Sequence, residues 1–408
     1  MTDDYTLIIP TYNRSRLLMA LLRFLAAEGA DFPIMVLDSS NAEHRVRNRA
    51  LAAQSVLKLE YVEYDEDTHP FDKFRDGVHR VQTPLGSMCA DDDLVFVDGI
   101  RRCIRHLHEN PDVCVAHGYY FTFLDQGANG IDLTAMLYFT PGIDNDEPLW
   151  RLRTLLRSYQ ALTYGIYRTP VLQSVFDGVQ QVQSLLAREL LSGALSVVRG
   201  KIARLKCFYG GRSHNPSEKY SHWHPLEWLI TNPREFLEEY GRYRNILLCA
   251  LTQLSTNKFS LAETERIVDL IHVFYVIVHA PRESHDFILD RVMAGYDLEE
   301  FWSDPAIQNP LVMAHYATPG TLSGRADGKN RLRRWTSQVV QNVLSGRSRL
   351  QPVTEEEMTW PKTVTTQTRI YRMHKNFLDF EPKELIFSGP DDIRALLASL
   401  DHYTADIR

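Results

Sequence analysis

Short apolar runs, each broken by a proline or a polar turn, alternate with amphipathic stretches over the first ninety residues. No other feature constrains the fold as tightly. Tyr5 to Ile9 reads as a buried strand that Pro10 ends. Ser15 is placed to cap a helix carrying Leu17, Leu18, Leu21, Leu22 and Leu25 on one side, which Gly29 stops. Pro33 to Leu37 is the next strand, closing on Asp38-Ser39-Ser40-Asn41. A helix from about Glu43 to Ala53 and a strand from Leu57 to Tyr64 follow. This β-α-β-α-β order predicts an α/β fold with a mostly parallel central sheet flanked by helices. Ligands of such sheets bind beyond the C-terminal strand ends, where Asn13 and Asp38 fall.

A helix is expected from about Phe71 to Val81. A short strand, Gly86 to Ala90, then delivers Asp91-Asp92-Asp93 to the sheet edge. Phe96 to His108 reads as a helix and Val113 to Phe123 as a strand. Gln126 to Pro148 is polar and glycine-rich and reads as a loop, Leu149 to Tyr159 as a helix, and Leu162 to Arg168 as a strand. Beyond about Pro225 the pattern turns to long helices: Phe236 to Leu251, Ala262 to Ala280, Ser284 to Met293, and a basic amphipathic stretch from Lys329 to Leu344. The expected organisation is a domain over residues 1–225 and a mainly helical accessory domain over 226–408. With 408 residues the chain is long enough for two cores.

A net charge of −7 counts against bulk nucleic-acid binding, which favours a basic footprint. Cys89, Cys103, Cys114, Cys207 and Cys249 form no CxxC pair, so they read as thiols in a reducing compartment. The first residues lack the positive region of a signal peptide, and no apolar run is long enough to span a bilayer. The expected location is the cytoplasm, including the inner face of the membrane.

Three adjacent carboxylates repel one another and are costly to bury, so a cation is their most economical partner. Oxygen ligands suit Mn²⁺ or Mg²⁺. Asp91 and Asp93, two residues apart, are the expected metal ligands, with Asp92 on the donor side. The alternative is an acidic turn whose Asp93 caps the helix near Phe96. Pro10, Thr11, Tyr12 and Arg14 offer backbone N–H groups, an aromatic face for a base and a guanidinium for a phosphate. The alternative there is a plain helix start with a solvated arginine. Asp38 either reads a base N–H or closes an Asx-turn. Lys73 either meets a diphosphate or is an ordinary surface lysine. No glycine-rich dinucleotide fingerprint or Walker loop occurs.

Leu7-Ile8-Ile9-Pro10-Thr11-Tyr12-Asn13-Arg14, Asp38-Ser39-Ser40 and Ala90-Asp91-Asp92-Asp93 resemble the family 2 nucleotide-diphospho-sugar glycosyltransferases of GT-A fold. The resemblance covers roughly residues 5 to 210. It implies a divalent cation at Asp91 and Asp93, nucleoside contacts at Thr11, Tyr12 and Asp38, and an inverting transfer from a nucleotide-diphospho-sugar, UDP-sugars being favoured. The implied partners are the sugar nucleotide and a glycan or other hydroxyl acceptor, with bacterial surface glycan as a destination. The family's catalytic acidic pair corresponds to Arg188-Glu189, which leaves Glu189 as the base, Asp177 being a weaker competitor and a helix-surface glutamate the bland reading. Arg188 beside it would lower its pKa if the two side chains met. His214 is a candidate third metal ligand, with His222 and His224 as rivals and Arg212 adding positive charge. Asp132, Asp144, Asp146, Glu147 and Trp150 are acceptor-side candidates. The helical half is open to an acceptor cleft, a homodimer contact or a partner surface, and its basic segment from Arg325 to Arg349 reads either as peripheral membrane contact or as a solvated helix face packed against the first domain. The competing functions are a sugar nucleotidyltransferase and a catalytically silent glycan-binding or scaffold protein.

Overall fold

The computed structural model describes residues 4–126, 130–137, 141–213, 225, 228, 232–254, 259–277, 363–365, 369–374, 377 and 390–404. The chain divides into two compact units. The first holds Met1–Ser221, Glu239–Ile271 and Trp360–Arg408, and the second holds His222–Glu238 and His272–Thr359. In the second unit, Trp228 meets Phe236 edge to face at 5.6 Å.

The first unit is a mixed sheet flanked by helices. β1 (Tyr5–Thr11) lies between β2 (Ile34–Asp38) and β4 (Leu85–Met88), parallel to both, and β3 (Leu59–Glu63) continues parallel beyond β2. Tyr5, Leu7, Ile8 and Ile9 have no exposure at all, as a strand covered on both faces requires. Helices α1 (Ser15–Ala27), α2 (Ala42–Gln54) and α3 (Pro70–Arg80) make the crossovers. Leu18, Leu21, Leu22 and Leu25 form the buried face of α1, each contributing about 1.5–3 kcal/mol of burial. Ser15 does not cap this helix. Arg14 holds the cap position, and the Ser15 hydroxyl bonds His44 Nδ1 at 2.7 Å instead.

Beyond β4 the sheet turns antiparallel through β8 (Ile166–Arg168) to β6 (Val113–Asp125). β6 pairs with β7 (Ile131–Leu137) and, in parallel, with β9 (Lys201–Ser213). β7 lies inside the stretch read as a loop. Ile131 and Leu133 are fully buried on one face, and their alternation with Asp132 and Thr134 is hidden by the polar, glycine-rich residues around it. β10 (Thr363–Thr365) and β11 (Ile370–Met373) extend the sheet through β7, within a half of the chain that reads as helical. Strands of three and four residues are too brief to show an alternation. Among the described residues the remaining helices are α4 (Val97–Glu109), α5 (Pro148–Arg157), α6 (Thr169–Val179), α7 (Leu185–Arg199), α8 (Pro233–Leu254), α9 (Leu261–Ile277) and α10 (Pro390–Thr404). Ser284 to Met293 and Lys329 to Leu344 lie outside the described residues.

α10 returns to α1. Tyr403 meets Phe24 and Phe123 edge to face, so the C-terminal segment completes the N-terminal core. α4 lies close against β9 because Gly99 has no side chain. A Cβ there would stand 2.4 Å from the Phe208 carbonyl oxygen, a backbone atom that cannot give way cheaply. Gly99→Ala is expected to lower unfolding stability by about 1–3 kcal/mol, read as a lower denaturant midpoint at unchanged m-value.

Candidate active site

The C-terminal ends of β1, β2 and β4 converge, and their loops are stitched together by short polar side chains. Asn13 takes a positive φ of 54°, which asparagine tolerates better than most residues. In that conformation its N–H donates to Ser40 Oγ at 2.9 Å, and its Oδ1 accepts from the Asn41 N–H at 2.8 Å. The loop after β1 is thereby pinned to the loop after β2.

Asp38 has no exposure. It accepts from the Ser40 N–H at 2.7 Å, Asn48 Nδ2 at 2.8 Å and the Tyr61 hydroxyl at 2.5 Å. Burial alone would push this carboxyl up, but the bonds from Ser40, Tyr61 and Asn48 outweigh it and hold it below the usual carboxylate range. With the Ser40 bond it closes an Asx-turn, and both its oxygens are engaged. Lys73 is also buried, at 3% exposure, and is no surface lysine. Its ammonium donates to the Thr11 carbonyl at 2.9 Å and to Ser39 Oγ at 2.7 Å, bracing β1 and β2 from beneath. Burial pushes it down to about 8, against the pull of Asp38 and Asp91.

The acidic triplet follows β4 and precedes β5 (Leu94–Val95). Asp91 and Asp93 are 2% and 5% exposed. Thr11 Oγ1 donates to Asp91 Oδ2 at 2.7 Å, and Arg14 Nη1 reaches Asp91 Oδ1 at 3.2 Å and Asp92 Oδ2 at 2.7 Å. Asp93 does not cap α4, whose cap residue is Phe96. It accepts the Ser213 N–H at 2.8 Å, and Arg212 Nε lies 3.7 Å from its other oxygen. Burial pushes Asp91 up to about 6, with Thr11 and Arg14 pulling against it. Burial takes Asp93 to about 7, against Arg212, the Ser213 N–H and a bond from the Tyr164 hydroxyl.

Ser213 and Arg212 arrive because β9 pairs with β5 at Gly211↔Leu94 and Gly210↔Val95. A Cβ on Gly211 would stand 2.8 Å from the Phe121 ring, and one on Gly210 2.7 Å from the Tyr120 ring. Two adjacent glycines in a strand were the sequence signal for this close approach. Arg212 also lies over the Tyr164 ring at 5.4 Å.

Glu189 sits on α7, one turn after the Ser184 cap. The buried Glu239 of α8 accepts the Gln183 and Ser184 N–H groups, fixing where α7 starts. Burial raises the Glu189 carboxyl above its ordinary value, with Arg212 opposing. Arg188 does not supply the opposing charge. Its Nε donates to the Val182 carbonyl at 2.7 Å, and its guanidinium stacks on Phe71 at 4.7 Å.

Thr11, Arg14, Lys73, Asp91, Asp92 and Asp93 are therefore brought into one cluster, and Arg212, which lies beside Asp93, also pulls electrostatically on Glu189. Pro10 lies in β1 and pairs with Leu37, while Tyr12 is 43% exposed at the strand end. Asp177 is not brought there. It pairs with Arg75 at 2.6 Å and His79 at 2.9 Å. Of the acceptor-side candidates, Asp132 pairs with Arg372 at 2.6 Å and Asp146 with Lys201 at 2.8 Å, while Trp150 is 46% exposed. His214, His222, His224 and the basic segment Arg325 to Arg349 lie outside the described residues. Residue patterns did not single out Asn48, Tyr61, Tyr164, Ser213 or Glu239, which act only through tertiary contact.

The triplet has the hard oxygen atoms that Mn²⁺ or Mg²⁺ prefers. Among the described residues no group of three or more His, Cys, Asp or Glu side chains is spaced to hold a metal. Arg14 and Arg212 bring positive charge to the carboxylates. Among the described residues no helix is long and apolar enough to cross a membrane.

No family model matches the chain, and no curated protein matches it. Among solved structures it is similar to the crystal structure of S. aureus TarS 1–349, with 15% identity over 76% of this chain and 80% of that one, at a TM-score of 0.45. The same protein in complex with UDP-GlcNAc has 15% identity over 76% and 81%, at a TM-score of 0.46. The mannosyltransferase PcManGT from Pyrobaculum calidifontis, in complex with GDP-Man and Mn2+, has 13% identity over 78% and 88%, at a TM-score of 0.37.

Proposed function

We propose that this chain is an inverting glycosyltransferase that moves a sugar from a nucleoside-diphosphate donor, a UDP-sugar in the favoured case, to a hydroxyl acceptor, a bacterial surface glycan being the implied destination. The observation that carries this reading is the convergence of Thr11, Arg14, Lys73 and the acidic triplet, with Asp91 and Asp93 buried, at three parallel strand ends. In this reading Tyr12 offers its exposed ring to the base, and Arg14 and Lys73 supply positive charge to the diphosphate. Asp38 sets the loop geometry through Ser40, Asn48 and Tyr61. Asp91 and Asp93 would hold Mn²⁺ or Mg²⁺, which when bound draws negative charge off the departing diphosphate. Glu189 takes the proton of the acceptor hydroxyl as that oxygen attacks the anomeric carbon and the bond to the diphosphate oxygen breaks.

Thermal-shift titration with UDP-, GDP-, dTDP- and CMP-sugars, with and without Mn²⁺, tests the donor class, and donor hydrolysis tests the chemistry. One sugar nucleotide is expected to raise the melting temperature and to be hydrolysed slowly. Indifference to all four would favour the glycan-binding scaffold.

Lys73 predicts an alkaline limit. Below pH about 8 its ammonium is charged and attracts the diphosphate, and above that value the charge is lost. Donor KM is expected to rise as pH passes through about 8, and Lys73→Gln to flatten that rise. The linkage to stability runs the opposite way. The folded chain releases this proton more readily than the unfolded one, so this group's contribution grows from about pH 8 toward 10.5.

A further inference from the structure

We propose that Arg14 is a resident counter-ion of Asp91 and Asp92, which a divalent cation must displace and which a donor diphosphate draws away. The proposal rests on the reading of the triplet as the metal-binding element and deepens it.

A single nitrogen, Arg14 Nη1, serves both carboxylates, at 3.2 Å from Asp91 and 2.7 Å from Asp92. It therefore occupies an oxygen of Asp91, one of the two carboxylates read as holding the metal, and ties it to the neighbouring Asp92. The carboxylates are the fixed partners. The Asp91 side chain is 3% exposed, and its other oxygen is held by Thr11 at 2.7 Å. Asp93 is tied to the Ser213 backbone at 2.8 Å. Arg14 is the partner able to move, with a long side chain that is 37% exposed. It also follows Asn13, whose pinned loop fixes the backbone from which the side chain swings.

Two like-signed cations cannot share one carboxylate pair cheaply, so Arg14 weakens metal binding in the donor-free protein. A diphosphate offers the planar guanidinium a doubly charged alternative partner. Once Arg14 turns to it, the two carboxylates lose their counter-ion and their demand for a metal rises. Metal and nucleoside diphosphate then bind with positive coupling, and the coupling is reciprocal.

The test is Mn²⁺ titration of the full chain, with free Mn²⁺ followed by electron paramagnetic resonance, with and without UDP. Without UDP, Arg14→Gln is expected to bind Mn²⁺ at least about tenfold more tightly than wild type, and Arg14→Lys to stay within about threefold of it. UDP is expected to tighten Mn²⁺ binding more in wild type than in Arg14→Gln. Arg14→Met keeps the aliphatic stem and repeats the readout should the glutamine variant fail to fold. Equal or weaker Mn²⁺ binding by the neutral variants, with binding still abolished by Asp91→Asn, would overturn the counter-ion role and leave the metal site standing. No Mn²⁺ binding by any variant, with or without UDP, would sink the counter-ion role and the metal reading together.

Discussion

Glu189→Gln is expected to lower kcat by about 10²–10⁴-fold while donor KM stays within about threefold. The amide keeps the shape and hydrogen-bonding reach of the side chain but cannot accept the acceptor's proton. In the proposed reading the donor is held elsewhere, by Arg14, Lys73 and the triplet, so binding would be spared. The wild-type carboxyl is raised by burial, with Arg212 pulling against it. It must be ionised to act, so activity falls as pH drops through its raised value. Steady-state kinetics across pH check both points. A glutamine variant with unchanged kcat would remove Glu189 from the chemistry.

Asp93→Asn is the second large effect, with kcat/KM expected to fall by about 10²–10³-fold. Asparagine keeps an oxygen to accept the Ser213 N–H, now at 2.8 Å, so the join between β5 and β9 survives. What is lost is the charge beside Arg212, 3.7 Å away. Steady-state kinetics at and above neutral pH check the loss, and a variant with unchanged kcat/KM would remove the Asp93 charge from the chemistry.

The parallel half of the fold was legible because its signals are local. Leu7 to Pro10, Ile34 to Leu37 and the leucines of α1 state their periods within a few residues, and the turns between them place Asn13 and Asp38 at strand ends. β7 and β11 were not legible. They pair with each other, β7 also with β6 and β11 with β10; β11 is only four residues, and β7 lies in a polar, glycine-rich stretch that hides its alternation. The site divides in the same way. Thr11, Arg14, Lys73 and the triplet stand in two short motifs and one helix. Tyr61, Asn48, Tyr164 and Ser213 have no local signature, since each matters only for the carboxylate it meets.

The chain's sequence alone determined that strands and helices alternate from its start, and that a cluster of acids would follow a short apolar strand near residue 90. Those are properties of residues within one turn or one strand of each other. Only the tertiary structure decided that Asp38 is engaged by Ser40, Asn48 and Tyr61, that Arg14 lies across Asp91 and Asp92, and that Arg212 comes beside Asp93. A carboxylate's role is set by which donors reach it through low-dielectric surroundings, and those donors come from segments up to 120 residues away, as Ser213 does to Asp93.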